Sequence, residues 1–294
     1  MKNTDITSLG KSKNKISKLF TSLILLICSY QMDTNKNYLT RLDNDKVSEY
    51  LRKFNLNEEI IKYVKRNYDF NGKIIYLRNN VDSECMVFYT KKECELVFIG
   101  TQFDLKDITS LCKDIWTDIC LGLESVDSDL LDSAIKMHSK YITNMNNGTL
   151  LNDIIKIIKK LNFKKINICG HSMGCGLGLY ASIILTIKFP NVKFNLITFD
   201  SPKIGNDKLN NYVKKIKNLD HLDIINNNDV IPLFPFIYPN YLHIAKKTYI
   251  LNNDGDINVC KDSNKQITIF TNHSINDHFT LTIIKNIYKC IISK

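Results

Sequence analysis

Segments with the apolar periodicity of a helix alternate with short apolar runs along this chain. Apolar residues three and four positions apart predict a helix over residues 47–68 and an amphipathic helix over 149–161. A further helical pattern covers residues 174–188. Short apolar runs predict strands at 72–77, 86–89, 95–100, 133–138, 165–169, 194–199, 222–226 and 247–251. Strands that alternate with helices indicate the α/β class, in which a mostly parallel sheet is covered by helices on both faces.

The beginning of the chain combines lysines with an apolar run of ten residues, 19–28. About 20 apolar residues are needed to span a bilayer, so this run is too short to cross one. It is long enough for the apolar part of a signal peptide, and a first helix packed on the core is the alternative. We therefore divide the chain into an N-terminal segment, residues 1–35, and a single domain, residues 36–294.

Composition narrows the class of protein. With 44% hydrophobic residues, the 294-residue chain can form a sizeable core, which excludes a disordered, collagen-like or polytopic membrane protein. Forty Lys and Arg against 30 Asp and Glu give a net charge of +10. The lysines are spread over every predicted element, which is typical of a solvated surface. No DNA-binding or RNA-binding motif is present in the sequence, so nucleic acid is not an expected partner.

The nine cysteines form no C-x-x-C pair, and no histidine cluster completes a zinc set, so no metal site is predicted. An odd, unpatterned set is typical of reduced thiols and favours an intracellular or peripheral-membrane protein. Two alternatives stay open. One is a bridge between Cys260 and Cys290, and the other is secretion directed by the apolar run 19–28.

The pentapeptide Gly-His-Ser-Met-Gly at 170–174 is a G-x-S-x-G sequence between a predicted strand and a predicted helix. In this context the serine sits on a sharp turn with its hydroxyl above the strand ends, where it can act as a nucleophile. Side chains in place of the two glycines would collide with the neighbouring backbone, and the helix N-terminus supplies a positive dipole. The pattern therefore predicts Ser172 as a catalytic nucleophile.

A serine needs a base to remove its proton and an acid to orient that base. In this arrangement the acid and then the histidine follow the serine, on loops after later strands. Asp200 and Asp229 both come after a predicted strand, and His243, His273 and His278 lie further along the chain. Order alone leaves these alternatives open.

Several segments of the chain occur in the order of one family's motifs. They are 97–101 (Val-Phe-Ile-Gly-Thr), 116–118 (Trp-Thr-Asp), 137–141 (Met-His-Ser-Lys-Tyr), 170–174, 199–206 (Phe-Asp-Ser-Pro-Lys-Ile-Gly-Asn), 226–232, 241–243 (Tyr-Leu-His) and 277–278 (Asp-His). From about residue 72 to the end, the chain thereby resembles the class 3 lipases, typified by secreted fungal enzymes. The resemblance implies an α/β-hydrolase fold with a nucleophile elbow.

The resemblance also implies roles for individual residues. It selects Asp229 as the acid and His278 as the base of a triad with Ser172. The oxyanion hole would consist of the backbone N–H of Met173 and the N–H and hydroxyl of Thr101. The implied activity is hydrolysis of acyl-lipid esters, with acylglycerols as the leading substrates, through an acyl-enzyme and without metal or cofactor.

Two further readings remain. A phospholipase A1 or galactolipase would use the same triad on a different head group. The other alternative is not an enzyme but a binding protein with a catalytically inactive hydrolase fold. The intact triad argues against it.

The chain departs from the family's motifs at several positions. Ile99 stands where arginine is usual, and Lys140 and Cys175 stand where glycine is frequent. In the segment 199–206 the family's Phe-Gly-Ser-Pro reads Phe-Asp-Ser-Pro, so that Asp200 takes the place of glycine. These departures weaken the assignment of a substrate more than the inference of catalysis.

The segment 102–115 corresponds to the lid of these lipases. Its predicted apolar face consists of Leu105, Ile108, Leu111 and Ile115. A helix of this kind closes with its apolar side over the site and opens onto a lipid surface, although an ordinary half-buried surface helix shows the same pattern. The expected partners are therefore a lipid ester substrate and, transiently, a lipid surface.

Overall fold

The computed structural model describes residues 13–32, 38–79, 83–100, 122–127, 129–235, 240–260 and 273–293. The helices are α1 (Lys13–Ser29), α2 (Asn44–Lys53), α3 (Glu58–Asn67), α4 (Ser139–Asn146), α5 (Leu150–Leu161), α6 (Met173–Lys188), α7 (Asp207–Lys215) and α8 (Thr280–Ile292). The strands are β1 (Tyr38–Leu42), β2 (Gly72–Arg78), β3 (Glu84–Tyr89), β4 (Cys94–Phe98), β5 (Leu123–Ser125), β6 (Lys136–His138), β7 (Lys165–His171), β8 (Lys193–Phe199), β9 (Leu219–Asn226), β10 (Lys247–Leu251) and β11 (Ile257–Cys260). Two short 3₁₀ turns cover Ile231–Leu233 and Asn276–His278.

Nine of these strands form one sheet, in the order β1-β2-β3-β4-β7-β8-β9-β10-β11. Its five central strands, from β4 to β10, pair in parallel. Strands β1 to β4 pair antiparallel with one another, as do β10 and β11, while β5 and β6 form a separate ribbon. Helices lie between β4 and β7, between β7 and β8, and between β8 and β9, which confirms the predicted α/β architecture. The carboxyl ends of parallel strands meet at one edge of a sheet, where such folds build their sites.

Two hydrophobic clusters cover the two faces of the sheet. Helices α1, α2, α3 and α8 pack on one face, and α4 to α7 pack on the other. On β4, Val97 belongs to the first cluster, whereas Leu96 and Phe98 belong to the second. Successive strand residues point to opposite faces, so a strand covered on both sides reads as a continuous apolar run. This is why β4, which is buried along its whole length, has apolar residues at four of its five positions.

The apolar run near the N-terminus is the second half of α1. Residues 23–28 of this helix have no solvent exposure, and the helix packs against α2, α8, β4 and β7. A helix that is apolar on almost every side is typical of a buried position. Among the described residues, no helix has both the length and the apolar character needed to cross a membrane. The division of the chain at residue 35 stays a prediction.

The single helix predicted over residues 47–68 is wrong, because the structure has two helices there. Helix α2 ends at Lys53, and Asn55 then adopts a left-handed backbone with φ of 60°. The side chain of Asn57 accepts a hydrogen bond from the N–H of Ile60 at 2.9 Å and caps α3. Asparagine favours both conformations. The apolar period runs across the break, so periodicity alone could not locate it.

The seven cysteines of the described residues are buried thiols. They include Cys260 on β11 and Cys290 on α8, the pair for which the sequence left a bridge open. Burial raises the pKa of the Cys169 and Cys175 thiols well above its ordinary value, because a thiolate there would lose its hydration. These cysteines therefore behave as small apolar residues of the core.

Candidate active site

Ser172 forms the turn between β7 and α6. Its backbone has φ of 55° and ψ of −126°, a region that residues other than glycine rarely adopt. Such strain costs about 1–3 kcal/mol and persists where the surrounding structure enforces it. The N–H of Ser172 donates to the carbonyl of Phe199 on β8 at 3.1 Å, and its own carbonyl accepts from the N–H of Cys175 at 3.0 Å. The turn is thereby fixed at the carboxyl end of the parallel strands.

The glycines on either side of Ser172 allow the backbone to pack closely. A Cβ on Gly170 would lie 2.8 Å from the backbone nitrogen of Cys175 and closer still to the carbonyl of Gly174. A Cβ on Gly174 would collide with the carbonyl of Phe98 on β4. Any side chain at either position would push α6 away from the sheet. The G-x-S-x-G pattern is therefore a packing requirement of this turn.

Asp229 and His278 form a buried pair at the same edge of the sheet. Asp229 follows β9, His278 precedes α8, and each is 1% exposed. The Nδ1 atom of His278 lies 2.6 Å from Oδ2 of Asp229, and Oδ1 of Asp229 accepts from the N–H of Ile231 at 2.9 Å. Because Nδ1–H donates to the carboxylate, Nε2 carries the lone pair. Nε2 is buried without a hydrogen-bond partner in the described part of the chain, so it can accept a proton.

His171 connects the histidine of this pair to the elbow. The rings of His171 and His278 stack with centroids 4.6 Å apart. Nε2 of His171 donates to the carbonyl of His278 at 2.8 Å, and its Nδ1 accepts from the hydroxyl of Tyr30 at 3.2 Å. Burial and the neighbouring His278 lower the pKa of His171 well below its usual value, so its ring is neutral. His171 therefore acts as a fixed support for His278.

Tyr30 contacts His171 at the elbow and was not predicted from the sequence as a residue of the site. It directly follows α1 and reaches the elbow from the N-terminal segment. No local pattern marks it, because its partner is 141 positions away.

The loops that carry Asp229 and His278 are bound to each other by polar side chains. Nδ2 of Asn226 donates to the carbonyl of Asp277 at 2.7 Å, and Nδ2 of Asn227 donates to its carboxylate at 2.8 Å. The N–H of Ser274 donates to the carbonyl of Asn228 at 2.9 Å. A run of asparagines is typical of a solvated turn, yet Asn226 is completely buried. These bonds fix the two loops, and with them Asp229 and His278, relative to each other.

The other two histidines occupy different places. His243 is buried behind the acid loop, where its Nε2 lies 2.7 Å from the carbonyl of Pro232 and its Nδ1 lies 3.8 Å from the carboxylate of Asp223. Burial lowers the pKa of His243 to about 4. His273 is exposed. The geometry thus brings His278, and neither of these, to Asp229.

Asp200 lies beside the pair, at the end of β8. It is completely buried, and its Oδ1 accepts from the N–H of Asn226 at 2.6 Å. Burial and the adjacent Asp229 carboxylate raise the pKa of Asp200 well above its usual value. Asp229, and not Asp200, makes the hydrogen bond to the imidazole.

The remaining residues predicted for the site are only partly described. Met173 is the first residue of α6, so its N–H lies at the positive end of the helix dipole. The residues outside the described ranges are Thr101 and the predicted lid residues Leu105, Ile108, Leu111 and Ile115.

One cluster in the described ranges brings metal-ligating groups together: His171, Asp200 and His278, with one ligand atom of each within 4.8 Å of the others. Both ring nitrogens of His171 are hydrogen-bonded, and Nδ1 of His278 is bound to Asp229. Two donors, Nε2 of His278 and the Asp200 carboxyl, are fewer than protein metal sites provide. The cluster therefore does not fit a metal ion.

Comparisons with known proteins find similarity to lipases. Residues 96–238 match the family model of the class 3 lipases. A secreted mono- and diacylglycerol lipase of Malassezia globosa is 29% identical over 106 residues, which are 34% of this chain and 34% of that protein. A second such lipase of the same fungus is 27% identical over 149 residues, 44% of this chain and 49% of that protein. The matches thus span between a third and a half of these relatives.

Among solved structures, the triacylglyceride lipase of Rhizomucor miehei is similar with a TM-score of 0.65. The likeness covers 94% of this chain and 98% of that one at 16% sequence identity. At this sequence identity the likeness shows the fold alone. It confirms the α/β-hydrolase fold that the elbow and the motif order predicted.

Proposed function

We propose that the protein is a serine ester hydrolase of the class 3 lipase family, whose model residues 96–238 match, and that it cleaves acyl-lipid esters, with acylglycerols as its leading substrates. The observation that carries the proposal is the buried hydrogen bond of 2.6 Å between His278 and Asp229, at the sheet edge that also bears the strained Ser172. A base with a free Nε2, oriented by a carboxylate, is what a serine nucleophile requires.

The proposed reaction proceeds in two halves. Oγ of Ser172 attacks the ester carbonyl while Nε2 of His278 takes its proton, and Asp229 stabilises the resulting imidazolium. The oxyanion accepts hydrogen bonds from the N–H of Met173 and from the N–H and hydroxyl of Thr101, each such donor contributing about 3 kcal/mol. His278 then gives its proton to the departing alcohol, which leaves an acyl ester on Ser172. Water, activated by the same histidine, hydrolyses this ester and releases the fatty acid.

The choice of acylglycerols has support from the relatives. The Malassezia proteins are named as secreted mono- and diacylglycerol lipases. A phospholipase A1 or galactolipase would carry out the same chemistry on another head group. A binding protein with an inactive hydrolase fold would need no proton acceptor at Nε2 of His278.

A fluorophosphonate probe tests the proposal. We expect it to label the wild-type protein and not Ser172→Ala, because the probe reacts only with an activated serine. Ser182→Ala is the matched control, since Ser182 is a buried serine of α6 whose hydroxyl donates to the carbonyl of Gly178. A panel of mono-, di- and triacylglycerols, phospholipids and galactolipids then ranks the substrates. Folded wild-type protein that resists labelling would instead support the binding protein.

We also propose that residues 102–115 act as a lid whose apolar face contacts lipid. Opening exposes large apolar side chains at about 2 kcal/mol each in water, whereas a lipid surface removes that cost. The double replacement Leu105→Ser with Ile108→Ser is expected to lower the rate on an emulsified ester by at least about tenfold and at most about 10³-fold, because two such side chains leave the lipid contact. The rate on a short soluble ester should stay unchanged.

The measurement is the rate against concentration of one ester across its solubility limit. The control is Lys106→Ser with Asp107→Ser, on the polar face of the predicted helix. A smooth hyperbola through the solubility limit, the same in both double variants, would mean that the segment is an ordinary surface helix.

A further inference from the structure

Asp200 occupies a backbone position that suits glycine. Its φ is 53°, in the left-handed region, where aspartate and asparagine are the best tolerated of the other residues. The motif that this segment resembles has glycine at this place. The chain thus introduces a carboxyl group into the interior of the site, and the group is completely buried.

The Asp200 carboxyl is held in one orientation. The N–H of Asp200 donates to the carbonyl of Ile224 at 2.8 Å, and its Oδ1 accepts from the N–H of Asn226 at 2.6 Å. Its Oδ2 is buried and receives no hydrogen bond from the described residues. A carboxylate oxygen of Asp200 lies within 4.8 Å of a ring nitrogen of His278, and Nδ1 of His278 is bound to Asp229, so the two carboxyls are neighbours at the same imidazole.

Two carboxylates cannot both be charged at such a place without strong repulsion. Oδ2 of Asp229 accepts a hydrogen bond from Nδ1 of His278, whereas Oδ2 of Asp200 has no partner among the described residues. A proton on Oδ2 of Asp200 would end the repulsion and convert the unpartnered oxygen into a hydrogen-bond donor.

We propose that Asp200 is a positioning residue that keeps its proton and donates a hydrogen bond from Oδ2 to the Asp229 carboxylate, which orients that carboxylate toward His278. The catalytic part of this inference rests on the proposed function. The contact itself does not.

Several ionisable groups surround Asp200. Asp223 and Asp229 belong to β9 and the loop after it, and both disfavour a charge on Asp200. Cys175 on α6 is a neutral thiol, His171 on β7 is a neutral ring, and His278 approaches from the last 3₁₀ turn. Burial is the largest cause and the two aspartates add to it, so the pKa of Asp200 is raised well above its usual value.

The proposal fixes the sign of an effect on His278. A donor to Asp229 disperses part of its negative charge, so the imidazolium is stabilised less and the pKa of His278 is lower than without the donor. Loss of the donor therefore raises that pKa. A merely structural loosening of the loop would weaken the Asp229–His278 pair and move the pKa in the opposite direction.

Two substitutions that the backbone at residue 200 can accommodate distinguish loss of the donor from structural loosening of the loop. Asp200→Asn keeps an acceptor for the N–H of Asn226 and places an amide donor where Oδ2 was, whereas Asp200→Gly fits a φ of 53° and removes the group. The pKa of His278 is measured by NMR on the Ser172→Ala background, with circular dichroism to confirm folding. We expect Asp200→Gly to raise this pKa by roughly 0.5–1 unit and Asp200→Asn to change it by about 0.2 unit or less.

In the Ser172 protein, we expect Asp200→Gly to lower kcat about tenfold at pH 7 with KM unchanged and to move the acid limb of kcat/KM to higher pH. In Asp200→Asn, kcat and the acid limb of kcat/KM should both stay close to those of the wild-type protein. An unchanged or lowered pKa of His278 in Asp200→Gly would overturn the proposal, as would an Asp200→Asn variant that behaves like Asp200→Gly. The NMR result needs no turnover, so shifts of the expected sign in a protein without esterase activity would reject the proposed function and still support this contact.

Discussion

Replacing Ser172 by alanine is expected to lower ester hydrolysis by about 10⁴-fold or more, and His278→Ala is expected to lower it as much. The double variant should lose little more than either single one, because nucleophile and base act as a unit and neither works without the other. The measurement is kcat/KM on one soluble ester for the three variants, with the uncatalysed rate subtracted. Losses that multiply in the double variant would contradict a shared step.

Two matched controls accompany this experiment. Ser182→Ala changes a buried serine on the helix that follows the elbow, and His273→Ala changes an exposed histidine five positions before the proposed base. Neither should alter kcat/KM by more than about threefold, since neither group has a place in the proton transfer. These controls separate loss of chemistry from general damage to the fold.

Asp229→Asn is expected to lower kcat by about 10³- to 10⁴-fold while the protein stays folded. Asparagine keeps an oxygen that can accept from the N–H of Ile231, but an amide nitrogen facing Nδ1 of His278 would favour the tautomer whose Nε2 already holds a proton. Such a ring cannot accept the proton of Ser172. The readout is the pH profile of kcat together with the thermal midpoint of unfolding.

The matched control is Asp223→Asn, a buried aspartate on β9 whose carboxylate accepts from the hydroxyl of Thr198 at 2.7 Å. Its loss should be less than about tenfold, because it does not touch the imidazole. A larger loss in Asp200→Asn than in Asp229→Asn would show that the wrong aspartate is assigned as the acid.

The elbow could be predicted from the sequence because its determinants are local. Both glycines are required by contacts within the strand, the turn and the helix, or with the adjacent strand β4. The alternation of apolar strands and helices likewise predicted the parallel core of the sheet. Such features depend on neighbouring residues, which a pattern can show.

The acid and the base could not be chosen from residue patterns alone. Asp200 and Asp229 both follow parallel strands that are neighbours in the sheet, so each comes near the same point. Which of them meets His278 depends on a bond across 49 positions of the chain. The family resemblance selected Asp229, the aspartate whose carboxylate is hydrogen-bonded to His278, and its role as the acid stays a prediction. The role of Asn226 stayed hidden, because an asparagine run looks like an exposed turn until its partners are known.

The packing of α1 against α8 has a consequence for the order in which the chain can fold. The ring of Phe20 on α1 stacks on that of Tyr288 on α8, with centroids 6.4 Å apart. Part of the hydrophobic contact of the first described helix is therefore made by the last. A ribosome adds about 5–20 residues per second, so roughly 10–50 s pass between the synthesis of these two helices. During that time an apolar helix waits without one of its partners. The packing of α1 in the core is therefore completed only after α8 has been synthesised.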